Sequence, residues 1–148
     1  MWRRLLVTAA TAFALAGPAY SQVNPGDLKW GPAPPMFAPG AQLAVVSGNP
    51  MASGPFVVRL RMPANYRIAA HFHPTTENVT VISGTFHIGM GDRLDTSKGA
   101  ALSAGGFAQA PAQMHHYAWT TEPAEVQVHA DGPFALTYVN PADDPRGH

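Results

Sequence analysis

Apolar and polar residues alternate over short stretches of the chain, the pattern of strands with one face buried. In residues 56–62, Phe56, Val58, Leu60 and Met62 are separated by Val57, Arg59 and Arg61, so one face is expected to pack inward. Similar short runs at residues 43–46, 66–72, 77–82, 85–90, 107–110, 116–120, 125–129 and 134–139 predict further strands. Gly and Pro punctuate them, as at Met62-Pro63-Ala64-Asn65 and Ser83-Gly84. Outside the first residues no segment keeps a helical period. Many short strands of this kind predict an all-β protein, a closed barrel or a double sheet.

The beginning of the chain reads differently. Met1-Trp2-Arg3-Arg4 is basic, residues 5–16 are apolar and uncharged, and Ala19-Tyr20-Ser21 supplies small residues suited to a signal peptidase. Residues 1–21 are therefore expected to be a cleavable signal peptide, their apolar run over 5–16 being shorter than the roughly 20 residues of a membrane span. A secreted or periplasmic location follows. The absence of cysteine excludes a lipid anchor attached through that side chain. Residues 22–40, rich in Pro and Gly, form an N-terminal arm whose Trp30, Met36 and Phe37 are candidates for packing on the barrel or on a second copy. Residues 41–148 are expected to form one barrel domain.

Without the signal segment, seven basic residues face nine acidic ones, a balance of −2. That charge provides no footprint for nucleic acid. No Gly-x-Ser-x-Gly elbow, cysteine nucleophile or phosphate-cradling loop is present, so chemistry must come from elsewhere.

It is expected from a cluster of imidazoles and a carboxylate. His71 and His73 are two residues apart, which in a strand places them on one face about 6.5 Å apart. Phe72 between them points to the opposite face, Pro74 bends the chain, and Glu77 opens the next strand. Such a set suits Fe(II), Mn(II) or Cu with positions left open. A second segment runs from Gly105-Gly106 through Pro111 to His115 and His116. Neighbouring strand residues face opposite ways, so only one of that pair joins the site. Spacing does not choose between them; His115, if left out, is read as an outward neighbour of His116 or as a supporting group.

The two segments resemble the two motifs of the cupin superfamily. His71, His73, Glu77 and Gly84 match the first, with Asn65 in place of its leading glycine. Gly105, Pro111 and His116 match the second, with Gln113 in place of a glycine and Thr120 in place of an asparagine. Asn tolerates the left-handed backbone that such a glycine adopts. The resemblance implies a jelly-roll barrel and one metal site held by His71, His73, Glu77 and His116. The ion would be Cu, Fe or Mn, with Zn and Ni as alternatives. Further candidates for the pocket or for orienting ligands are His87, His129, Gln127, Tyr117 and Trp119.

The function expected is that of a secreted mononuclear metal-dependent oxidoreductase acting on a small organic molecule or an extracellular polysaccharide. Glu77 is the candidate catalytic proton acceptor. A non-catalytic metal- or ligand-binding protein and a non-redox isomerase or hydrolase are the alternatives, and a homodimer through the arm is a candidate assembly.

Overall fold

The computed structural model describes residues 21–147, so the segment read as a signal peptide lies almost wholly outside the described residues. Among the described residues eleven strands are arranged in two antiparallel sheets. They are β1 (Gly31–Pro32), β2 (Gln42–Ser47), β3 (Gly54–Met62), β4 (Arg67–Phe72), β5 (Glu77–Ser83), β6 (Phe86–Met90), β7 (Ala100–Leu102), β8 (Phe107–Ala110), β9 (His116–Thr120), β10 (Ala124–Gly132) and β11 (Thr137–Tyr138). One sheet has the order β1-β2-β3-β10-β5-β8 and the other β11-β4-β9-β6-β7. This is the jelly-roll arrangement that the motif resemblance implied. No helix among the described residues is long and apolar enough to cross a membrane.

The alternation in β3 places Phe56, Val58, Leu60 and Met62 in the core, where they meet Val79 and Val81 of β5 and Val126 and Val128 of β10. From the opposite sheet, Ile68, Phe86, Ile88 and Ala118 complete this interior. Burying such side chains is worth about 1.5–3 kcal/mol each, and it sets the register of both sheets.

The outer faces differ in character. On the six-stranded sheet, Glu125 accepts from Arg59 at 3.2 Å and from Arg61 at 2.9 Å, and Arg59 donates to Gln127 at 3.2 Å. The Arg61 guanidinium lies 3.7 Å from the centre of the Trp30 ring, which fastens the arm to this face. On the five-stranded sheet, Ala70, Tyr117 and Trp119 form a small second cluster packed against Leu94 and Val139.

The arm crosses from the edge of one sheet to the edge of the other. Its β1 pairs with β2, and Ala33 N–H donates to Ala41 O at 3.0 Å. Next to β4 and within β11, the Tyr66 and Tyr138 hydroxyls donate to Ala38 O (2.5 Å) and Met36 O (2.8 Å). Between these two anchored carbonyls Phe37 turns into the core, 7% exposed.

Three differences from the sequence expectation have physical causes. The strand expected over residues 134–139 shrinks to Thr137–Tyr138, because Phe134 N–H is taken by Pro50 O (2.7 Å) and Ala135 O by the His73 ring. β1 and β7 were not expected: one is two residues long and contains proline, the other is Ala-Ala-Leu, and neither is long enough to show a period. β10 extends past His129 to Gly132, pairing with β3 along its whole length.

Candidate metal centre

β4 carries His71 inward only because its register slips. Ile68 pairs with Ala118 and His71 with His116, so three steps along β4 match two along β9. One extra residue reverses the facing of all that follow. Without it, strict alternation from Ile68 would bring Ala70 and Phe72 inward and turn His71 out. With it, Ala70 joins the outer cluster and His71 is 3% exposed inside the barrel. His73 follows β4 on the same side, Glu77 opens β5 and His116 opens β9, all buried.

Two backbone turns hold these strand ends in place. Asn65 and Gln113, which occupy positions where the resembling motifs have glycine, both have positive φ, 60° and 65°. The Gln113 N–H donates to His73 O at 2.9 Å, joining the segment before His116 to the end of the His71–His73 pair. Thr120 ties the base of the same strands, accepting from Tyr66 N–H (3.0 Å) and donating to Pro63 O (2.6 Å).

The three histidines converge. They offer ligand atoms that lie within 4.8 Å of one another, with ring centres 5.0 Å (His71–His73), 4.2 Å (His71–His116) and 5.2 Å (His73–His116) apart. Each spends its Nδ1–H on a backbone carbonyl: Ala69 O at 2.7 Å, Ala135 O at 2.8 Å and Met114 O at 2.9 Å, respectively. That fixes the tautomer in which the Nε2 lone pair is free. The Nε2 atoms of His73 and His116 are buried without a hydrogen-bond partner, a costly state that an ion would relieve. They face Glu77 Oε2 at 3.4 and 3.3 Å. Carbonyl-anchored imidazoles with inward nitrogens beside a buried carboxylate fit a divalent transition metal.

The electrostatics agree. Burial, with His116 and His73 close by, lowers His71 to about 3, so it is a neutral donor at any ordinary pH. Burial also works against the charged form of His73, but Glu77 and the Ala135 carbonyl together turn its shift upward. Glu77 feels burial that would raise its pKa, yet His73 and His116 hold it well below the usual carboxylate range. An ionised Glu77 beside the neutral His71 makes a cation-attracting site.

These side chains close one region of a small cavity of about 30 Å³, room for roughly two water molecules. Apart from the histidines and Glu77 its walls are apolar, with Phe134, Leu136 and Phe37 among them. The Phe134 ring stacks on His73, 5.2 Å between centres, and meets Phe56 edge-on. Phe134 and Ala135 were missed as site residues; a lone aromatic after Gly132-Pro133 carries no metal signature.

The remaining candidates are elsewhere. His115 is outside the cavity, stacked on Phe72 and 2.6 Å from Asp92. His87 lies on the opposite face of β6 from Phe86 and Ile88, stacked on Trp119. Tyr117 and Trp119, considered for the pocket, lie on the outer face, because they alternate with the inward His116 and Ala118. Gln127 accepts from Arg59 on the outside of the other sheet, and His129 is exposed on that same face.

Comparison with known proteins agrees with this architecture. The family model of the ChrR cupin-like domain matches residues 19–135. Among solved structures, the polyketide cyclase RemF of Streptomyces resistomycificus aligns with a TM-score of 0.72 at 17% identity, covering 86% of this chain and 91% of that one. A protein from Methylibium petroleiphilum assigned as an acetylacetone dioxygenase aligns at 0.65 and 21%, covering 89% and 90%. An RmlC-like cupin of Shewanella frigidimarina aligns at 0.59 and 15%, covering 74% and 87%. Identities this low show a common fold. No curated protein sequence matches the chain.

Proposed function

The chain belongs to the ChrR cupin-like domain family, and on that premise we propose that it is an exported mononuclear metal-dependent oxidoreductase acting on a small organic molecule. The carrying observation is the set of three imidazoles whose Nδ1–H groups are all anchored to carbonyls while their other nitrogens converge. His71, His73 and His116 would hold the ion, and Glu77 completes the donor set. A Cu, Fe or Mn ion supplies open positions and redox chemistry there.

The chain's own groups do the rest. Glu77 Oε2, between His73 and His116, is the carboxylate oxygen that would take a proton from a substrate in the cavity once released from the ion. The apolar walls keep bulk water from that carboxylate, and Phe134 against His73 limits approach from its side. Tyr138, whose ring centre is 6.2 Å from that of His71, packs beside that histidine.

The similar folds include proteins named as a cyclase and as a dioxygenase, so a non-redox role for the ion is the competing reading. Metal analysis with oxygen and peroxide consumption across a substrate panel tests the choice. Cu, Fe or Mn with substrate-dependent consumption supports an oxidoreductase. Zn alone, with no consumption across the panel, would sink it.

A further inference from the structure

The cavity has polar groups in one place only. Outside His71, His73, Glu77 and His116, its lining offers no side chain that donates or accepts a hydrogen bond. A ligand with polar groups along its length would therefore lose hydration without replacement, at a cost that rules out a sugar chain. One polar head at the histidine cluster, with the rest apolar, is what these walls accommodate.

One wall of the cavity comes from outside the sheets. Phe37 belongs to the arm, is 7% exposed and lines the same cavity as the histidines. Its backbone neighbours are fastened on both sides, Met36 O by Tyr138 and Ala38 O by Tyr66, and Phe37 N–H donates to Pro34 O at 2.9 Å. The ring is thus held in the interior by a segment that belongs to neither sheet. Replacing it would enlarge the cavity without altering a strand or a histidine.

We propose that the site takes a compact apolar molecule with a single oxyanion head, carboxylate or enolate, and that Phe37 limits how long its apolar part can be. This rests on the metal-centre reading, since the head is placed at the histidine cluster. A neutral imidazole set with one carboxylate leaves a divalent ion with net positive charge, which favours an anionic head.

The test uses the full chain loaded with metal, with metal content measured first, and calorimetric titration with straight-chain carboxylic acids of increasing length and with glucose. In the wild type, affinity should stop rising after the shortest acids. In Phe37→Ala it should go on rising to longer acids, about fourfold per added buried methylene. Phe37→Leu, the gentler change, should move the limit in the same direction by less. An identical length limit in all three fully loaded proteins overturns the role of Phe37, and glucose binding as tightly as the acids overturns the apolar ligand. A chain that takes up no metal would instead overturn the metal centre, and this ligand with it.

Discussion

Removing the two phenol hydroxyls that hold the arm tests how the cavity wall is built. In Tyr66→Phe and Tyr138→Phe the rings remain, but the bonds to Ala38 O (2.5 Å) and Met36 O (2.8 Å) are lost. Each bond is worth about 1 kcal/mol net, so the double variant should lose about 2 kcal/mol. Burial of Phe37 contributes about 1.5–3 kcal/mol and should keep the arm docked most of the time. The arm should nevertheless open about thirtyfold more often, since each 1.4 kcal/mol is a factor of about ten. Hydrogen exchange at the Ala33 and Phe37 amides, both bonded within the arm region, reads that opening directly. Urea unfolding should show a midpoint lower by about 1 M for a slope near 2 kcal/mol/M. Burial raises both phenols from the ordinary 10.0 to about 12. A raised folded pKa means that their contribution is complete below pH 10 and fades as pH climbs through 12. The wild type should therefore lose arm protection across that window, while the double variant shows no such step. Unchanged exchange at Ala33 and Phe37 in the double variant would refute the clamp.

Two other substitutions probe the site's supports. Gln113 has φ 65°, a conformation that costs a side-chain-bearing residue about 1 kcal/mol, so Gln113→Gly should leave metal content unchanged and raise the thermal midpoint by a few degrees. A lowered midpoint would show that the Gln113 side chain matters more than its backbone. His115→Ala, which removes the contacts with Phe72 and Asp92, should keep nearly all its metal by elemental analysis. Loss of metal there, with retention in His116→Ala, would reverse the assignment of the two neighbours.

Much of the site was legible because its signals are local. His-x-His spacing, the bend at Pro74 and Glu77 at a strand start need only the rules of one or two strands. Asn65 could be read as a glycine substitute and adopts the left-handed backbone expected of it; Gln113, noted only as a departure from glycine, adopts it too. The bulge that turns His71 inward was not legible, because it falls in Ala69-Ala70, where small residues carry no mark of facing. Phe37, Phe134 and the Ala135 carbonyl were hidden for another reason: they reach the site from the arm and from the segment before β11, through contacts distant in sequence. The motif register picked His116 over His115, and strand parity from an inward His116 would have sent Tyr117 and Trp119 to the outer face with His115.

The metal content of the protein, expressed with transition metals available and compared with its His71→Ala, His73→Ala and His116→Ala variants, tests the central claim most directly. The account predicts close to one ion per chain in the wild type and far less in each variant, with the variants still folded. A folded wild type without metal, or full occupancy in the three variants, would contradict it.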